Sequence, residues 1–518
     1  MCLLIFFQIL SGCSVDITPE PPLIPPEPVL RRLTISQYHN SLSDLFGENL
    51  VLPSSLEPDT EIDGLLSIGA SINSVSPTGV ERYEAAAFQV AEQVIADSSL
   101  RSQLLSCDIE DIASCSTEFI SNFGALVWRR ALTEEEIGRI STLIQSITAD
   151  SGDVWTGIEF GLAALLQSPH FLYRTEHGPD MLSAEELASR ISFLLWNGPP
   201  DTILLNRAMN GSLLQKSILE AEFDRMITDP KSKRGIRSLF SDVFALHDLD
   251  HLTKDPLVFT HASPDLGPAA KEETLQLLEA LVLEDDVDFR TFLTTRRTFV
   301  NRRLAALYSV PAPSQEGFGE ILLPADGIRR GFLGHASFLA LQAHSTSSSA
   351  TKRGIYLRQK FLCQSIPPPP ANVDTSIPEA DAESPTLRER IQTHLSDPSC
   401  ANCHNFMDLL GLGFEQFDGI GRFRTTENDA VIDPSGNIDG EEFQNAWDLA
   451  DKLAAHDRFS PCITEQLYQY TTGHVVADDE EEYLAWLSTQ FQEDDFSYLQ
   501  LIRTLVLSDG FQKVGALQ

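Results

Sequence analysis

Apolar residues recur at three- and four-residue steps along much of this chain, the spacing of helices with one buried face. After Thr133, the residues Ile137, Ile140, Leu143, Ile144 and Ile147 fall on one side of such a helix. After Ser183, Leu187, Ile191, Leu194 and Leu195 do the same. Both stretches open on a capping box, Thr133 with Glu136 and Ser183 with Glu186, and Thr34 with Gln37 opens a third. Strand signals are few and short, the clearest being Ala430-Val431-Ile432 ahead of the turn Asp433-Pro434-Ser435-Gly436. Pro367 to Pro370 forms a polyproline connector, and the stretch from Asn372 to Pro385 is an acidic loop. The run Asp478-Asp479-Glu480-Glu481-Glu482 reads as a solvated face. The pattern predicts a mainly α fold, several consecutive helical modules with short β-hairpin and loop elements.

A length of 518 residues calls for more than one hydrophobic core, since single cores stop growing near about 250–300 residues. The net charge of −38 argues against a nucleic-acid partner, because phosphate binding needs clustered Lys and Arg. The same charge is repelled by anionic lipid, so a membrane attachment has to come from elsewhere.

The first residues supply a candidate. Leu3 to Leu10 is an apolar segment too short to span a bilayer, and it reads as the core of an export signal over residues 1–12. Leu10-Ser11-Gly12-Cys13 resembles a bacterial lipobox, which makes Cys13 the expected lipid-bearing N-terminus. Residues 13–29, rich in Pro and Glu, are expected to be a stiff, coreless tether. The expected location is the bacterial outer membrane or cell envelope, facing the periplasm or surface, with membrane contact only through the anchor.

Cysteine chemistry changes the picture most. Cys400-Ala401-Asn402-Cys403-His404 is the C-x-x-C-H pattern of covalent haem attachment. Two thiols one short turn apart add to the haem vinyl groups, and the next imidazole then lies beneath the iron. The expected cofactor is one covalent haem c on Cys400 and Cys403, with His404 as proximal ligand. A zinc site wants a second Cys/His pair, and a redox dithiol wants a thioredoxin-like context; neither accompanies the motif. Met407 follows His404 too closely to reach the opposite face, so His344, His394, His456 and His474, or water, are the candidates for the distal position. The remaining cysteines allow three pairings. Cys107–Cys115, bracketing a short acidic loop, and Cys363–Cys462, closing a long loop over the haem segment, are the expected pair of disulfides.

These residues carry a resemblance that runs from Leu30 to the C-terminus. Leu30-Arg31-Arg32-Leu33-Thr34, Trp128-Arg129-Arg130-Ala131-Leu132, Ser168-Pro169-His170-Phe171-Leu172-Tyr173-Arg174 and Leu187-Ala188-Ser189-Arg190 are its markers in the first half. Arg330-Gly331-Phe332, Lys352-Arg353-Gly354, Asp397 to His404, Phe414 to Asp418 and Gln466 to Tyr470 mark the second. The chain resembles exported planctomycete-type proteins built of consecutive domains of unknown function with a C-terminal cytochrome c-like module. It departs from them at Ala350-Thr351, where Pro-Val is usual, and at His474, where Arg is usual. The resemblance implies modules over 30–100, 101–178 and 179–310, a fourth in two parts over 325–370 and 371–424 with the haem segment second, and a last over 440–518. It implies no reaction.

Several markers have plain structural explanations. Arg129 and Arg130 beside Trp128 suit helix-end packing and ion pairing, and His170 suits a satisfied interior histidine. Glu415, Asp418 and Arg422 suit ion pairs that brace the haem segment, and Asp433 to Gly440 reads as a turn rather than a calcium loop. Three functions stay open. The first is an electron-transfer protein with an unidentified redox partner. The second is a peroxidase- or oxidase-like haem enzyme with an open distal position. The third is a scaffold that binds a surface polymer around a structural haem.

Overall fold

The computed structural model describes residues 19–105, 107–178, 180–367, 377–396 and 400–515. Cys13 and the side chain of His394 lie outside them. Helices dominate, and every sheet among the described residues is a two-stranded antiparallel pair. No helix among them is long and apolar enough to cross a membrane. All three capping boxes form, at Thr34, Thr133 and Ser183. In each, the side-chain oxygen takes one orphan N–H of the first turn and the Gln or Glu returns to the cap residue's own N–H.

Hydrophobic packing crosses the module boundaries. One core joins Leu33, Tyr38 and Leu42 of the opening module to Ile140, Ile144, Leu162 and Leu166 of the second. A larger core takes in Leu23, Leu65 and Ile68, runs on from Leu182 to Val514, and unites the opening module with the third, fourth and fifth. The helix Ala184–Leu195 is buried on every side and serves both: Phe193 belongs to the first core, and Leu187, Ile191 and Leu194 to the second. A smaller cluster around Val300, Leu304 and Leu307 sits beneath the hairpin of strands Arg297–Val300 and Gly319–Leu322.

The first strand, β1 (Arg31–Arg32), pairs with β2 (Tyr173–Arg174), stitching the start of the opening module to the end of the second. Ala430–Val431 is a short strand paired with Thr426–Glu427, and Gly436–Ile438 pairs with Glu441–Phe443 beyond the turn. Both expected disulfides are present, with Cα separations of 5.2 Å for Cys107–Cys115 and 5.1 Å for Cys363–Cys462.

Two expectations need correction. Residues 19–29 are not coreless: Leu23 is 3% exposed and enters the large core, and the Glu20 carboxylate accepts from the backbone N–H of Asp509 and Gly510. A single leucine among prolines suffices to dock an extended strand, because prolines stiffen it without hiding the apolar side chain. The acidic run 478–482 is not wholly solvated either. Glu480 turns inward and accepts from Tyr468 Oη at 2.5 Å and from His474 at 3.0 Å.

Candidate functional site

The C-x-x-C-H motif occupies the first turn of the helix Ala401–Leu412. The carbonyl of Cys400 accepts from the N–H of Cys403 at 3.2 Å and of His404 at 3.1 Å, so the turn that starts the helix also gathers the three side chains. Cys403 is exposed and Cys400 half-buried, and neither takes part in the two disulfides. The His404 side chain is 23% exposed. Its Nδ1 lies 2.7 Å from Oδ2 of Asp408, one turn further on and fully buried. A carboxylate oxygen only accepts, so Nδ1 is the donor in this contact. A histidine that ligates a metal through one nitrogen commonly donates from the other to such a carboxylate, which fixes its ring and raises its basicity. Among the described residues, Oδ1 of Asp408 is buried without a hydrogen-bond partner.

Close packing holds this helix in place. It crosses the helix Ala350–Leu362, and glycines permit the approach: a Cβ on Gly354 would stand 1.8 Å from the carbonyl oxygen of Met407, and one on Gly411 1.7 Å from that of Ala350. Met407 is buried in this contact. Arg358 donates from Nε to the carbonyl of Phe406 at 3.0 Å and lies over the Phe406 ring at 3.8 Å. Fully buried Arg353 donates to the carbonyls of Leu339, Phe414, Phe417 and Asp418, fixing the turn that follows the helix. The Glu415 carboxylate accepts from Ser348 Oγ at 2.7 Å and from Arg424 at 2.9 Å. Burial pushes its pKa up, opposed by the charges of Arg353 and Arg424. Arg424, rather than the expected Arg422, closes this ion pair. The Arg422 side chain is exposed, and Arg422 meets Asp418 through its backbone: its N–H donates to the Asp418 carboxylate at 2.8 Å and its carbonyl accepts from the Asp418 N–H at 2.9 Å.

The distal candidates are placed apart. The Nε2 of His456 faces Asp439 at 3.0 Å while Nδ1 accepts from the N–H of Arg458 at 3.1 Å. His474 is held by Glu480. Exposed His344 precedes Ala350, whose end of the crossing lies at Gly411, about two helical turns along from His404. Asp439 pairs with Arg358 and His456, so the Asp433–Gly440 stretch contributes a brace.

Elsewhere, Arg129 donates to the carbonyls of His170, Phe171 and Tyr173, and Arg130 makes a two-pronged contact with Glu136. His170 is not interior: its side chain is 41% exposed and packs on Trp128 with ring centres 4.7 Å apart. Sequence reasoning missed the Asp408 partner, although its four-residue spacing from His404 on a helix was a readable signal.

Fold and site together define a mainly helical, multi-module protein whose fourth module presents a C-x-x-C-H turn braced by a buried carboxylate. Five family models match in chain order, each described as a protein of unknown function: DUF1587 over residues 31–96, DUF1595 over 115–176, DUF1592 over 182–310, DUF1588 over 329–427 and DUF1585 over 439–511. The chain belongs to this five-module series, in the order the resemblance implies. The model over 329–427 carries the cytochrome-like name PSCyt3. No curated protein and no solved structure matches the chain.

Proposed function

We propose that the protein is a c-type cytochrome-like electron-transfer protein, carrying one haem on Cys400 and Cys403 with His404 Nε2 as proximal ligand. The observation that carries this reading is the His404–Asp408 contact, which orients the imidazole beside the two thiols. The donor set fits: the thiols of Cys400 and Cys403 and the His404 ring all start from one helical turn that is partly open to solvent. A bound haem would supply a one-electron couple. Asp408 would hold the proton of His404 at Nδ1 and make the imidazole a stronger donor, favouring the oxidised state. The Gly354–Gly411 crossing and the disulfide would keep the site still during exchange with a redox partner. Attachment to a bacterial envelope through Cys13 belongs to the same proposal, and labelled fatty acid that survives Cys13→Ala would remove that part.

One observation favours a second reading, a haem enzyme with an open distal position. Among the described residues, His456 and His474 already hold partners and His344 stands at the far end of the crossing.

Protein matured with a cytochrome c assembly system should keep its colour through acid–acetone extraction, and Cys403→Ala should reduce the covalent links to one. Extractable haem, or none, refutes the proposal. Carbon monoxide binding to the reduced protein decides between the two readings. Asp408→Asn, which keeps an acceptor but removes the charge, should raise the midpoint potential; an unchanged potential would remove Asp408 from that role.

A further inference from the structure

Four arginines from three modules converge far from the C-x-x-C-H turn. Arg31 on β1 and Arg174 on β2 are directly opposed across the strand pair, 1% and 7% exposed. Like charges so placed repel one another, and burial denies them the screening of water. Arg31 donates to the carbonyls of Tyr470 and Thr471 in the fifth module, which leaves its Nε buried without a partner. Arg190 takes the nearby carboxylate, Glu176, in a two-pronged contact. Arg129, already bound to carbonyls, lies 5.6 Å from the Phe193 ring centre, and Arg174 lies 5.0 Å from it.

Arg174 is the exception. Among the described residues its guanidinium makes no hydrogen bond and no close ion pair; it lies against Phe193, feels the charge of Glu176 at a distance, and its Nε is buried. Burial lowers its pKa to about 10, so it remains a cation at neutral pH. With Arg31, Arg190, Gln37 and Ser67 it lines a cavity of about 10 Å³. That is room for one guest the size of a water molecule or slightly larger. Arg174 also borders a solvent-facing cleft of about 240 Å³ lined by Trp128, Arg130, His170 and Ser189.

We propose that this cavity is a binding site for a halide-sized anion, chloride, held by Arg174 and Arg31 where the opening, second, third and fifth modules meet. One carboxylate, already engaged, faces three buried guanidiniums, so the pocket carries uncompensated positive charge. A single small anion neutralises it and supplies the acceptor that Arg174 lacks. Phosphate and carboxylates exceed the cavity. The residues that mark the separate modules, Arg31, Arg174, Arg190 and Tyr470, then share one ion as a common fastener.

The test uses the full chain. Thermal melting in sodium chloride should show a saturable rise in Tm over sodium gluconate at equal ionic strength, because gluconate is too large to enter. Arg174→Met should melt alike in both salts. Crystals soaked in bromide should show an anomalous peak in the Arg31–Arg174 cavity, a readout that holds even where the variant fails to fold. Equal Tm in the two salts, or bromide only at the surface with water in the cavity, overturns the proposal.

Discussion

Substituting Gly354 by alanine tests whether the C-x-x-C-H helix depends on close backbone contact. The new Cβ would stand 1.8 Å from the carbonyl oxygen of Met407 and 2.6 Å from its carbonyl carbon. An ordinary carbon–oxygen contact is near 3.3 Å, so the helices must part by about 1.5 Å; the obstacle is backbone and cannot rotate away. Overpacking typically costs about 1–3 kcal/mol, and this case belongs at the upper end. Parting the helices also forfeits dispersion contacts of the buried Leu357 and Leu410. Against this stands about 1 kcal/mol gained from replacing glycine by alanine within a helix. The net expectation is a loss of about 2–3 kcal/mol. Gly138, in the helix Glu134–Ser151, is the control: a Cβ there meets nothing within 4 Å. Gly138→Ala should therefore stabilise by up to about 1 kcal/mol. Urea denaturation followed by tryptophan fluorescence reads both variants. If Gly354→Ala unfolds at the same urea concentration as Gly138→Ala, the helix crossing is not the constraint described.

Two further predictions concern stability. His335 is wholly buried, and burial, with the Arg329 charge adding to it, lowers its pKa to about 3. The folded state therefore favours the neutral ring, so this contribution is present above the unfolded value near 6.5 and is lost as pH falls toward 3, roughly 5 kcal/mol over the full window. Burial raises neighbouring Glu273 to about 7, against hydrogen bonds from Thr298 and Tyr308, and its contribution runs the other way, strengthening as pH falls from 7 to 4.5. Between pH 6.5 and 4.5 the two oppose, so Glu273→Gln should steepen the acid-side loss of stability and His335→Asn should flatten it; urea midpoints at pH 7.5 and 5 that fall in parallel for all three proteins would contradict this. Removing the Cys363–Cys462 bridge by a double alanine substitution should cost up to about 4.7 kcal/mol for a loop near 100 residues, against about 2.6 kcal/mol for the short Cys107–Cys115 loop, and equal melting shifts for the two double variants would refute the loop-length argument.

What the sequence made legible was local. Capping boxes depend on residues three apart, and the C-x-x-C-H turn on residues four apart, so no distant partner decides them. The disulfides were readable because chemistry leaves few ways to pair four cysteines. Features that depend on distant partners were hidden. Arg31 finds its acceptors at Tyr470 and Thr471, and nothing near Arg31 announces them. Glu480 reads as one acid in a solvated run until Tyr468 and His474 fold over it. The Pro-rich segment was misread because composition describes its stiffness, whereas the docking of Leu23 depends on a core built almost 500 residues later. Within the site itself, Asp408 was one helical turn from His404 and could have been named.

The Cys363–Cys462 bridge also sets an order of events. In a chain synthesised from its N-terminus, Cys363 emerges first, Cys400 and Cys403 next, and Cys462 last. During that interval the thiols nearest to Cys363 along the chain are those of the C-x-x-C-H turn, and a premature oxidation would capture one of them. Correct assembly then becomes a race between oxidant and growing chain. The native bond can close only once Cys462 has emerged, after Cys400 and Cys403 have already passed.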